Sequence, residues 1–245
     1  MKHLVTEKAA PILLLAVFLT GCMASQPPAS TPTVSAYEAE TGSQQEFDIS
    51  TCSMATTGSN PYFILEPGFQ LVLQGGSEEL IITVLDEIVE VDGITTRVVE
   101  ERETRNGELI EISRNFFAIC EQTKDIFYFG EDVDIYKEGK VSSHSGAWRS
   151  GEGEAKFGLI MPGAPSAGMK YYQEVAPGVA MDRAEIISLD ETFSTPAGEF
   201  ENSLKVKEGT ALNPLDVEYK TYALGIGLVQ DQNLLLTEHG FVEDN

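Results

Sequence analysis

Residues 79–119 read ELIITVLDEIVEVDGITTRVVEERETRNGELIEISRNFFAI. Two dipeptides punctuate this stretch, Asp92-Gly93 and Asn106-Gly107. A two-residue type I′ turn needs positive φ at both positions, which Asp, Asn and Gly tolerate, and its twist matches that of the strands it joins. The runs between the turns, 79–91, 94–104 and 108–119, are rich in β-branched residues. The stretch therefore predicts a three-stranded antiparallel meander. In its third run Ile110, Ile112 and Phe116 fall on one face, and Glu111, Ser113 and Asn115 on the other. Arg114 interrupts the apolar row.

The same pattern extends outward. FQLVLQ (69–74) precedes Gly75-Gly76, and DIFYFGEDVDIYKEGKVSS (125–143) carries a turn at Glu138-Gly139. Strand patterns resume at 169–175, 180–194, 201–209 and 216–223, and a last hairpin over 225–240 turns at Asp231–Asn233. Residues 139–168 hold seven glycines and the single tryptophan, Trp148, and read as a long irregular region, a candidate flap. Helical periodicity is weak throughout. The fold class is mainly β: an antiparallel meander forming a twisted, partly open barrel or a sandwich.

The amino terminus carries different information. Lys2 and Lys8 flank Glu7, and an apolar run follows from Ala9 to Leu19. Eleven helical residues rise about 16 Å, short of a hydrocarbon core of about 30 Å, so the run fits an export signal rather than a membrane span. No later segment is long or apolar enough to span. The run ends in Leu19-Thr20-Gly21-Cys22, which resembles the bacterial lipobox. Thr20 and Gly21 offer a slim backbone to a signal peptidase, and the Cys22 thiol is a nucleophile for diacylglycerol transfer. Cleavage would leave Cys22 as a new amino terminus, open to a further acyl chain. At about 0.8 kcal/mol per buried methylene, two or more chains anchor stably. Met23, rather than aspartate, follows the cysteine, which favours the outer membrane in a Gram-negative host. The expected organisation is a lipoprotein signal peptide (1–21), the lipidated Cys22 with a flexible Ser/Thr/Pro-rich linker (22–46), and a single β-rich domain (47–245). The linker, as coil, spans about 30 Å.

The chain has 39 acidic residues against 16 Lys and Arg, a formal charge of −23. Such a surface repels nucleic acid. Two cysteines remain beyond Cys22. Cys52 and Cys120 form a candidate disulfide, stable in an oxidising envelope and closing a loop of about 70 residues. With no C-x-x-C motif, neither redox catalysis nor structural zinc is indicated.

Several segments together resemble a family of bacterial secreted and lipoprotein β domains of the DUF type, TapB-like: NPYFILEPGFQLVLQGG, FYFGEDVDIYKEGKVSSHSGAW, IMPGAPSAGMKYYQEVAPGVAMDRAEI, FSTPAGEFENSLKVKEGTALNP and VEYKTYALGIGLVQDQ. The likeness covers most of 60–232. It implies a shape like that of the half-barrel lipoprotein carriers LolA and LolB, and it brings no catalytic residues.

Candidate sites are sparse. Glu131, Asp132 and Asp134 cluster in FGEDVDIYKEGK and are weighed for Ca²⁺, although the spacing is not that of an EF-hand. A solvated acidic turn is the simpler reading. His144 sits among Ser142, Ser143 and Ser145, but no G-x-S-x-G elbow is present, and His239 is weaker still. Phe116, Phe117, Phe127, Phe129, Tyr171 and Tyr172 either line a cavity for a hydrophobe or fill a closed core. Gly225 and Gly227, and the TPAGEF turn (195–200), read as shape-determining. The expected function is a non-catalytic binding or scaffolding role in the cell envelope. Its partners would be the bilayer through the anchor, and a hydrophobic ligand or an envelope protein. No cofactor is expected beyond the acyl chains. An envelope hydrolase and a divalent-cation-binding surface protein are the rivals.

Overall fold

The computed structural model describes residues 42–242. The signal segment, Leu19, Thr20, Gly21 and Cys22 lie outside the described residues. Among the described residues the regular structure is all strand. The first half comprises β1 (Met54–Ala55), β2 (Gly58–Asn60), β3 (Phe63–Leu65), β4 (Phe69–Gly75), β5 (Glu78–Val91), β6 (Ile94–Arg105), β7 (Glu108–Cys120), β8 (Ile126–Lys137) and β9 (Lys140–Ser143). The second comprises β10 (Trp148–Arg149), β11 (Lys156–Met161), β12 (Lys170–Tyr172), β13 (Glu174–Val175), β14 (Asp182–Thr195), β15 (Gly198–Thr210), β16 (Asn213–Ala223), β17 (Gly227–Asp231) and β18 (Leu234–Phe241).

The meander forms as its turn chemistry dictates. Asp92 and Gly93 take φ of 52° and 75°, and Asn106 and Gly107 take 55° and 77°. These positive values suit the type I′ turns that join β5 to β6 and β6 to β7. From β4 to β8 every strand pairs antiparallel with its chain neighbour, and β14 to β18 do the same. β18 then pairs with β4, which joins the two halves into one sheet.

Closure is made by one short stretch. The path through the sheet runs β12-β14-β15-β16-β17-β18-β4-β5-β6-β7-β8-β11-β13. Its two ends, β12 and β13, are consecutive in the chain. Lys170–Tyr172 pairs with β14, and Glu174–Val175 pairs with β11. Gln173 sits at the changeover, its backbone N–H donating to Asp182 O at 2.9 Å. The result is a nearly closed barrel.

Gly158 on β11 permits that closure. A Cβ there would lie 2.4 Å from Gln173 O and 2.6 Å from Tyr172 O, both backbone atoms that cannot swing aside. Gly158→Ala is expected to cost about 2–3 kcal/mol by forcing β11 off the closing stretch. Urea unfolding checks this, and a midpoint unchanged from the parent protein would reject the closure argument.

Residues 139–168, expected as an irregular flap, are instead structural. β9, β10 and β11 pair in succession along the free edge of β8, so the glycine-rich region supplies three short pieces of sheet. Its glycines serve tight approaches and turns between those pieces. Contacts with the sheet already begin within the expected linker, before residue 47. Gln44 already bonds Lys170 O and Tyr172 N, at 2.9 and 2.8 Å, and Lys156 Nζ lies 2.9 Å from Glu46 Oε1. Cys52 and Cys120 are bonded, with Cα atoms 5.2 Å apart, which ties the N-terminal segment to the end of β7.

The β2–β3 hairpin plugs one end of the barrel. Asn60 Nδ2 donates to Lys124 O at 2.8 Å and to Pro162 O at 3.0 Å, while Gly225 N donates to Pro61 O at 2.7 Å. The Tyr62 hydroxyl donates to Asn202 O at 3.1 Å. Loops from both halves of the sheet thus converge on the hairpin, and Phe63 meets Phe117 edge to face at 5.3 Å.

Candidate functional site

The register shows what faces the lumen. One row across the strands reads Leu71, Ile82, Glu101, Ser113 and Val133. The next, toward the unplugged end, reads Leu73, Leu80, Glu103, Glu111 and Ile135. On the other half of the sheet Tyr171, Ala184, Glu208 and Glu218 form one row, and Lys220 stands opposite both Val206 and Asp231. The two faces of β7 are as the alternation predicts, yet the polar one, with Glu111, Ser113 and Asn115, is the inner one. Phe116 points outward and is still buried, with the Arg149 guanidinium 4.5 Å above its ring. Phe127 and Phe129 share that outer layer. Phe47 packs edge-on to Phe127, and Phe157 stacks on Phe129.

Between the plug and Lys220 lies a cavity of ≈ 100 Å³. Phe63, Ile82, Val84, Val99, Phe117 and Leu228 form its apolar wall. Glu101, Gln173, Lys220, Tyr222 and Asp231 form its polar side. Of the six aromatics read as cavity or core, Phe117 lines this space; all six are buried.

The lumen's charge is one-sided. Lys220 Nζ lies 2.9 Å from Glu208, 3.6 Å from Glu218 and 3.8 Å from Asp231. Burial alone would pull its ammonium down, but Glu208 and Asp231 outweigh it and hold the ammonium well above its usual range. Burial pushes Glu101 up to about 7; Lys220 opposes this, and Asp231, Glu103 and Glu111 add to it. Burial likewise raises Glu103, Glu111, Glu174, Asp182 and Asp231. Glu131 rises to about 8, again from burial, despite its hydrogen bond to Tyr128. The Tyr128 hydroxyl has one proton and two acceptors nearby, Asn115 Oδ1 at 2.5 Å and Glu131 Oε2 at 3.0 Å. A protonated Glu131 resolves the conflict by donating to the Tyr128 oxygen.

The residues read from sequence as sites are placed elsewhere or apart. Glu131 faces the lumen, whereas Asp132 faces outward and pairs with Arg149 at 2.7 Å. Asp134 pairs with His144 at 2.8 Å. Alternation turns Glu131 away from the other two, and Asp132 and Asp134, which share a face, are drawn to separate partners, Arg149 and His144. Among the described residues no three His, Cys, Asp or Glu side chains are grouped to hold a metal ion. His144 is exposed, its Nδ1 also 2.8 Å from Val133 O, and Ser142 and Ser143 bond backbone groups rather than the imidazole. His239 is exposed on β18, opposite Leu71. Sequence reasoning missed Glu101, Gln173, Lys220 and Asp231. The available signal was the matched polar rows of β6 and β7, Glu101 with Glu103 and Glu111 with Ser113.

No family model, no curated protein and no solved structure matches the chain.

Proposed function

We propose that this chain is a membrane-anchored bacterial lipoprotein whose barrel is a non-catalytic binding domain of the cell envelope, holding a small hydrophobic ligand in its lumen. The lumen cavity carries the binding half of this reading: its apolar wall and few convergent polar groups are those of a small-molecule site, and its ≈ 100 Å³ limits the guest to a small one. The Leu19-Thr20-Gly21-Cys22 stretch and the apolar run before it support the anchor. The acidic surface turns away nucleic acid. The hydrolase reading is not carried forward, since His144 and its serines lie on the surface, away from the lumen. Nor is the Ca²⁺ reading, since Asp132 and Asp134 are each spent on a basic partner.

Two measurements test it. Metabolically supplied palmitate is expected to label the protein and to be lost from the Cys22→Ser variant; unlabelled parent protein would end the anchor. Native mass spectrometry of the protein released gently from cells is expected to show a small organic adduct that disappears on unfolding. A ligand-free mass in every preparation would count against a lumen ligand.

A further inference from the structure

The polar side of the cavity carries two carboxyls, Glu101 and Asp231, beside the Gln173 amide, the Tyr222 hydroxyl and the Lys220 ammonium. The Glu101 carboxyl faces it without a hydrogen bond to any described residue. Gln173 is 4% exposed and lines the same space. Its Nε2 donates to Glu208 Oε1 at 3.0 Å, an orientation forced by a carboxylate that can only accept. That turns its Oε1, which accepts no bond from a described residue, toward the cavity. Asp231 completes the set at 3.8 Å from Lys220. The one donor with charge, Lys220, is already shared among Glu208, Glu218 and Asp231. A guest that brings several N–H groups can donate to the Glu101 carboxylate, Gln173 Oε1 and Asp231 together.

The opposite wall needs a different partner. Phe63, Ile82, Val99, Phe117 and Leu228 offer only hydrocarbon. A bare metal ion would leave that wall unused. A carboxylate guest would meet the carboxyls of Glu101 and Asp231 in the cavity lining, with one neutralised lysine for support. At ≈ 100 Å³ the space is smaller than the cavity of about 150 Å³ that takes benzene, so it suits a short alkyl chain rather than an aromatic ring.

We propose that the lumen binds a small primary amine with an apolar body, its ammonium seated among Glu101, Gln173 Oε1 and Asp231 and its hydrocarbon against Phe63, Val99 and Phe117. This rests on the reading of the barrel as a binding domain and names the ligand class for it. Binding is coupled to a proton. The groups facing Glu101 are Lys220 from β16, Asp231 from β17, Glu103 from β6, Glu111 from β7 and Glu131 from β8. With Glu101 pushed up to about 7, the ammonium at pH 6 must displace its proton, while at pH 8 the carboxylate stands ready. An alkylammonium, with a pKa near that of lysine at about 10.4, stays charged throughout.

Isothermal titration of the full chain with three isosteric probes, propylamine, propan-1-ol and propanoate, tests the proposal. Propylamine is expected to bind at least roughly tenfold tighter than propan-1-ol, and propanoate weakest of the three. Propylamine affinity is expected to rise roughly tenfold from pH 6 to pH 8, with a proton released at the lower pH. Glu101→Gln should remove the amine's advantage over the alcohol and its pH dependence. If the alcohol binds as tightly as the amine, or propanoate tighter, the ammonium site is wrong and the lumen still binds. If none of the three binds to the parent protein, the lumen-binding reading falls with it.

Discussion

The protein is expected to melt several degrees higher at pH 5 than at pH 8. The cause is the set of lumen carboxyls whose acidity burial weakens. Glu101 is pushed up to about 7 and Glu131 to about 8, and Glu103, Glu111, Glu174, Asp182 and Asp231 move the same way. In the unfolded chain these groups ionise near the ordinary carboxyl value of about 4. Between that value and the folded one, the folded protein keeps protons that the unfolded chain has released. Stability then falls as pH rises, because the slope follows the protons bound by the unfolded state minus those bound by the folded state. The window runs from about pH 5 to about pH 8. Below it, groups of the opposite kind begin to count: Glu46, bonded to Lys156, and Asp48, bonded to Ser50, are lowered and lose their contribution in stronger acid.

A tenfold weakening of a fully buried carboxyl's acidity corresponds to about 1.4 kcal/mol. Water reaching the lumen lessens this, so about 3 kcal/mol in total is expected, or about 6–12 °C for a domain of this size. The formal charge of −23 acts in the same direction by self-repulsion at high pH. Calorimetric scans at pH 5, 6.5 and 8 measure the trend, and a melting temperature that rises or stays level across that range would refute it. Glu131→Gln supplies the matching control. Its amide can still donate to the Tyr128 oxygen, so the variant should gain stability at pH 8 and change little at pH 5.

Removing the Cys52–Cys120 bond is expected to have an effect of similar size. The two residues are 68 apart in sequence, and closing a loop of that length in the unfolded chain is worth about 4 kcal/mol in the chain-entropy account. The bond also fixes the segment that carries Gln44 and Phe47 against the sheet. Reduction, or Cys52→Ala with Cys120→Ala, should lower the melting temperature by about 8–16 °C. A loss under about 2 °C would mean that the N-terminal segment holds its place by packing and hydrogen bonds alone.

The meander was legible because its determinants are local. Asp92-Gly93 and Asn106-Gly107 specify their turns by what φ their residues tolerate, and the runs between them declare strands by composition. The Glu131–Asp134 cluster and His144 were legible as residues and not as sites. A strand sends neighbours to opposite faces, and each outward acid found an outward base. The 139–168 region was misread because glycine serves a flap and a crowded strand edge alike. What separates the two is the β8 edge it fills, which only the folded sheet supplies.

By itself, then, the sequence determined strand content, the hairpin turns and the two faces of each strand. These depend on a residue and its near neighbours. Only the tertiary structure decided which face became the lumen. Both faces of β7 are covered, so hydrophobicity could not choose between them; the choice came from closure at 170–175 and the burial of Phe116 beneath Arg149. The same closure brings Glu101, Gln173, Lys220 and Asp231, spread over more than 100 residues of chain, to one cavity wall. Their altered acidity arises from that enclosure, which no stretch of sequence contains.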